Sequence, residues 1–206
     1  MQTNYQNITQ ALPYMLAYPA LLAGHQTVNH AMNDSLLSNY LGAFIEQDGM
    51  LNEDSTTPTL LAEYINAVIG QFSDPALSDP LARLCSDGAL KLPAYILPTL
   101  LNLLAQNGDV HRIAFLLATY GHYLSEYLNQ EGGTYESDAL QPDDRAKINS
   151  DDVVALLGIS SMATARLQTY SHFVAMYKSY RNQIATHGVE FLLRQMAYNR
   201  MAMPSD

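Results

Sequence analysis

The sequence predicts an all-α, multi-helical fold, and three observations carry that reading. Apolar residues recur at three-and-four spacing over long stretches; in VHRIAFLLATYGHYLSEYLN (residues 110–129) the pattern lasts about five turns. Helix start and stop residues punctuate the chain, with Thr27, Asp34 or Ser35 before apolar runs and Gly24, Gly108 and Gly188 at their edges. No run of alternating β-branched residues is flanked by hairpin turns, so nothing argues for a sheet.

Taken in order, residues 14–23 form an apolar segment interrupted by Pro19 and closed by Gly24. Thr27 caps VNHAM, and Asp34 or Ser35 caps LLSNYLGAFI. QDGMLNEDSTTP reads as a turn-rich loop, with Pro58 opening TLLAEYINAVIGQF. Asp74-Pro75 and Asp79-Pro80 each read as a cap followed by a first-turn proline. Pro93 and Pro98 shape the entry to ILPTLLNLLAQN, which Gly108 ends. A polar connection containing Gly132-Gly133 runs through Pro142, making residues 130–149 the longest expected irregular stretch. Ser150 or Asp151 caps VVALLGI, Ser160 or Ser161 opens a long segment through residue 185, and Gly188 precedes VEFLLRQMAYN. The expectation is one domain over residues 1–206.

Composition narrows the function. Charged residues make up 15% and apolar ones 48% of the 206, which suits a globular core rather than a disordered chain. A net charge of −10 and a pI near 4.8 disfavour nucleic acid and anionic membranes as partners. The charge is uneven: residues 1–82 hold eight acids and no Lys or Arg. Cys85 is the single cysteine, so no intrachain disulfide exists, and the residue reads as a small buried apolar group. The first ten residues carry no base of the kind a signal peptide needs, and no apolar run suggests a membrane span of ~18 residues. These features point to a soluble, cytoplasmic protein.

Familiar site motifs are scarce. There is no Gly-rich phosphate loop, so no nucleotide cofactor is expected to bind this chain by itself. The histidines at 25, 30, 111, 122, 172 and 187 show no HExxH or His/Cys ligand spacing, which argues against a metal. Tyr170, Tyr177 and Tyr180 follow helical spacing and read as core or interface.

The basic residues Arg83 and Lys91 stand apart, because they bracket Ser-Asp-Gly inside an apolar run. ARLCSDGALKLPAYILPTL (residues 82–100) resembles the signature of the C-terminal domain of the long-chain mannitol dehydrogenases. That family includes polyol 2-dehydrogenases and the fructuronate and tagaturonate reductases. LAYPALLAGHQTVNHAMND (residues 16–34) and AVIGQFSDPALSDPLAR (residues 67–83) resemble two further blocks of the family, in the same order. The resemblance is best over about residues 8–125.

It implies an all-helical substrate domain that works beside an NAD(P)-binding Rossmann domain and oxidises a polyol or sugar acid, or reduces the ketone. In the family a lysine is the general base, with an asparagine and a histidine polarising the reacting oxygen, which suits hydride loss from a carbinol. Those three positions fall on Tyr5, Gln10 and Pro13, so no catalytic residue is expected here. The family's substrate-contacting arginine and lysine fall on Arg83 and Lys91, whose fork and ammonium suit hydroxyls or a carboxylate. An Asp87-Gly88 turn with Gly88 at positive φ would fold Lys91 back toward Arg83. Alternatively Arg83 pairs with Asp79 or Asp87 and Lys91 caps a helix. Three functions follow as expectations. The chain is the substrate half of an oxidoreductase needing a separate nucleotide-binding chain, a non-catalytic polyol or sugar-acid binder, or an all-α interaction scaffold.

Overall fold

A computed structural model describes residues 2–48, 58–77, 79–127 and 140–198. It is all-α: no strand occurs among the described residues, whose one isolated extended pairing joins Thr27 to Pro80. The helices are α1 (Gln2–Leu22), α2 (Val28–Met32), α3 (Ser35–Ala43), α4 (Pro58–Ser73), α5 (Leu81–Leu84), α6 (Gly88–Tyr95), α7 (Leu97–Ala105), α8 (His111–Tyr127), α9 (Pro142–Ile148), α10 (Ser171–His187) and α11 (Val189–Tyr198).

The centre is α8, in which every residue from 112 to 121 is buried. A helix that is apolar on all sides cannot lie on a surface, so other helices must sheathe it. α10 and α1 do most of this, with α11 and α9 touching it as well. α11 closes over α3, while α1 also lies against α5 and α6. Aromatic pairs knit these layers together: Tyr18 of α1 meets the Tyr120 ring of α8 edge-on at 4.9 Å, and Tyr40 of α3 meets Phe115 at 5.5 Å.

Several start and stop residues act as read. Thr27 Oγ1 accepts the His30 N–H, and Asp34 Oδ1 accepts the Leu36 N–H at 2.8 Å, so Asp34 rather than Ser35 caps α3. Gly24, at φ +91°, takes the left-handed position after α1 that other residues resist. Cys85 is fully buried, in the core.

Other expectations are corrected. α1 begins at Gln2, not near residue 14, and runs through both Pro13 and Pro19; each forfeits one helix bond, which packing on α5, α6 and α8 offsets. Pro80 itself is the extended residue before α5, with no side-chain cap, because the Asp79 carboxylate turns to Arg83 instead. Asn107 (φ +53°), not Gly108, takes the left-handed turn after α7. Asp152, not Ser150 or Asp151, caps Val153–Gly158, which is a 3-10 run. Residues 161–170 form turns and two short 3-10 segments broken at Arg166 (φ +48°), so α10 starts only at Ser171 and Tyr170 lies outside it. Within the expected irregular stretch, Pro142–Ile148 is helical. Its Asp144 carboxylate accepts the Ser160 N–H at 2.7 Å and tethers the following connection. Gly132-Gly133 and most of the loop before Pro58 lie outside the described residues.

Leu81–Ala105 is one nearly continuous helical stretch, long and apolar enough by composition to cross a membrane, with mean hydropathy 1.3. This corrects the expectation that no segment approaches that length. Leu81, Cys85, Leu92, Ile96 and Leu100 are buried in the protein core, as a core helix of a folded domain requires.

Candidate functional site

The run that carries Arg83 and Lys91 folds as α5, a 3-10 turn over Cys85–Asp87, then α6 and α7. Gly88 adopts φ −58° and ψ −40°, an ordinary right-handed helical conformation. The expected reversal at Asp87-Gly88 is therefore absent: the turn tightens the helix without folding it back. Eight helical residues span about 12 Å along an axis, too far for two side chains to share one small ligand without reaching.

Each cation has its own partner. The Arg83 guanidinium pairs with the Asp79 carboxylate one turn earlier, with both side chains well exposed at 65% and 48%. Lys91 Nζ lies 5.9 Å from the Tyr95 ring centroid, and that ring stacks on Tyr14 at 5.8 Å. Burial, with Tyr95 and Asp87 nearby, pushes the Tyr14 hydroxyl above its usual range.

The positions that the resemblance assigns to catalysis all lie on α1. Gln10 is exposed, and the Tyr5 side chain lies outside the described residues. Pro13 lines a cavity of about 90 Å³ together with Leu16, Val28, Phe72, Asp79 and Leu84. The part of α1 expected to hold the polarising histidine thus does face the start of the Arg83 helix, but with a proline ring. Asp79 is the cavity's single acid, and it is already engaged by Arg83.

Two roomier clefts lie elsewhere. One, of about 560 Å³, sits between α3, α4, α8 and α11 and is lined by Asn39, Glu46, Asn66 and the almost fully buried Arg112. The other, of about 650 Å³, lies where the turn before α8 meets the first turn of α10, and it brings His111 and His172 together. Histidine spacing in the sequence could not show this, because the two are joined only by the packing of α10 on α8. Among the described residues no group of three His, Cys, Asp or Glu is placed to hold a metal ion.

The fold defines the class first: a multi-layered, all-helical domain built around one buried helix. The chain belongs to the mannitol dehydrogenase C-terminal domain family, whose profile matches residues 14–185. The mannitol 2-dehydrogenase of Aspergillus fumigatus is 26% identical over 177 residues, spanning 84% of this chain and 35% of that protein. The polyol:NADP oxidoreductase of Gluconobacter oxydans is 32% identical over 122 residues, 59% of this chain and 25% of that protein. The mannitol 2-dehydrogenase of Pseudomonas fluorescens, solved as a ternary complex with NAD and D-mannitol, superposes with a TM-score of 0.81 at 25% identity. It covers 95% of this chain and 41% of that one. D-Sorbitol dehydrogenase in its substrate-free form gives 0.79 at 26% identity, with 97% and 41% covered. The chain spans about a third of the length of the curated relatives it matches.

Proposed function

We propose that this chain is the substrate domain of an NAD(P)-dependent polyol or sugar-acid oxidoreductase and works only with a nucleotide-binding domain docked on it. The observation that carries this reading is the outward face of Leu81–Ala105. That stretch is apolar, yet only 39% of its most apolar part is buried. Leu90, Ala94 and Pro98 are exposed at four-residue steps, so they share one stripe, and Leu90 is 62% exposed; Ala82 is exposed beyond the half-buried Ser86. A contiguous apolar stripe beside the family's substrate residues is what a docked domain would cover.

Arg83 and Lys91 flank that stripe. In this reading a docked partner closes the space over them, and Arg83 exchanges Asp79 for a substrate hydroxyl or carboxylate. The cavity beside Pro13, at about 90 Å³, is far below the ~300–1,000 Å³ of small-molecule sites, so the isolated chain has no finished substrate pocket there. NAD(P) does not fit the described residues, which offer no strand leading into a glycine-rich turn, so in this reading a nucleotide-binding domain beyond the described residues holds it. Residues 1–82 contain no lysine to serve as the family's general base.

One observation favours a second reading, an all-α interaction scaffold: Arg83 and Lys91 are already engaged, by Asp79 and Tyr95. Calorimetric titration separates the two. Under the first reading hexuronates bind weakly and better than neutral polyols, and both Arg83→Ala and Lys91→Ala abolish the heat. Equal heats for the parent and both variants would make the pair a relic.

A further inference from the structure

The cleft of about 650 Å³ between the turn before α8 and the start of α10 lies within the size range of small-molecule sites and shares no lining residue with the cavity beside Pro13. Its apolar lining is Leu104, Val110, Phe173 and Met176, and its titratable groups are Asp109, His111, Tyr170 and His172. Tyr180 bonds to His111 Nδ1. Burial pushes the Tyr180 hydroxyl up to about 12, so the phenol keeps its proton. With Nδ1 held by Tyr180, Nε2 is the His111 ring nitrogen left to meet a ligand.

Asp109 is the single acid among the lining residues, and its carboxylate is committed. Oδ1 accepts the His111 N–H at 2.8 Å, and Oδ2 lies 3.9 Å from the buried Arg112 guanidinium. His172 is exposed and close enough to His111 to disfavour the protonated form of His111. The Ser171 hydroxyl adds a further donor at the rim. His111, His172, Ser171 and Asn107 offer donors over an apolar floor whose one carboxylate is engaged, which suits a ligand with acceptor oxygens on an apolar body. A bare cation would meet only a neutralised carboxylate.

We propose that this cleft binds a small organic oxyanion, a carboxylate or a phosphate ester, between His111 and His172. The charged and titratable groups around the imidazoles are Asp109 and Arg112 from the α8 side, Tyr180 from α10 and Tyr170 just before it. Burial holds the His111 pKa below its usual 6.5, Asp109 opposes this, and His172 and Arg112 add to it. An oxyanion between the rings favours both imidazolium forms, so binding takes up protons and tightens as pH falls.

The test follows the ring C–H resonances of His111 and His172 by NMR in the full chain, titrated with benzoate and with inorganic phosphate at pH 6 and pH 8. The expected result is saturable shifts at both histidines, with affinity for benzoate about three- to fivefold higher at pH 6 than at pH 8, as a one-unit rise of one imidazole pKa gives. Benzoate alone, phosphate alone or both binding in this manner supports the site and separates the two oxyanion sources. His172→Gln, at an exposed position that does not threaten the fold, weakens binding about tenfold, the loss of one charge-assisted contact. Arg83→Ala leaves the titration unchanged. No saturable shift with either probe, equal affinity at the two pH values, or unaltered binding by His172→Gln would overturn the proposal.

Discussion

Gly121 sits in α8 where α10 presses Arg181 and Tyr177 against it. An added Cβ would lie 2.6 Å from Arg181 Nη1 and 2.7 Å from the Tyr177 hydroxyl. Arg181 Nη2 donates to Ser125 Oγ at 3.0 Å, while Nη1, Nε and the Tyr177 hydroxyl have no hydrogen-bond partner among the described residues. Burial lowers the Arg181 pKa and pushes the Tyr177 hydroxyl up to about 12. Gly121→Ala gains about 1 kcal/mol of helix propensity but must displace these buried groups, an overpacking cost of about 1–3 kcal/mol. A net loss in urea unfolding is expected; a more stable variant would show that the contact relaxes freely. Burial also lowers the pKa of His111 and His122, in the second case against the pull of Glu126. The unfolded chain, with imidazoles near 6.5, therefore binds more protons just below that pH. Their contribution is fully present above about pH 6.5 and is lost as pH falls toward the lower folded values. The urea midpoint should drop between pH 8 and pH 6, and His122→Gln should reduce the drop. An unchanged pH dependence in that variant would remove His122 from the account.

Among the elements, the Leu81–Ala105 stretch separates core from docking face within a few residues. Leu92 is fully buried, so Leu92→Ala should cost about 2–5 kcal/mol. Leu90 is 62% exposed, and Leu90→Glu should leave stability within about 0.5 kcal/mol while abolishing association with a nucleotide-binding partner. A folded Leu90→Glu protein that still associates would place the interface elsewhere. The helices themselves were legible because the pattern is long and strong, as in α8, or because the caps are local, as at Thr27 and Asp34. What escaped was set by contacts across the fold. α9 is short, and its Asp144 is tied to Ser160, sixteen residues on. The left-handed Arg166 carries no residue-type signal for a break. Gly88 illustrates the opposite error, since its permissiveness allowed a turn that the packed helix does not use. Of the candidate site, the sequence showed Arg83 and Lys91 but not their separation, and it gave no sign that His111 and His172 meet.

At the scale of the whole molecule, the chain belongs to a family whose members extend well beyond it: it spans 35% of the Aspergillus fumigatus enzyme and 41% of the Pseudomonas fluorescens one. An apolar stripe open to solvent, a small cavity beside Pro13 and the absence of lysine before Lys91 fit the proposed arrangement, in which a nucleotide-binding domain docked on this one brings dinucleotide and closure. The most direct measurement is NAD(P)-dependent turnover of mannitol, fructuronate and tagaturonate by the pure chain, alone and mixed with a separately produced Rossmann-type nucleotide-binding domain. The account predicts no turnover alone, and turnover in the mixture that Leu90→Glu or Arg83→Ala reduces at least tenfold, about 1.4 kcal/mol of transition-state stabilisation. Turnover by the pure chain alone, or none in the mixture, would contradict it.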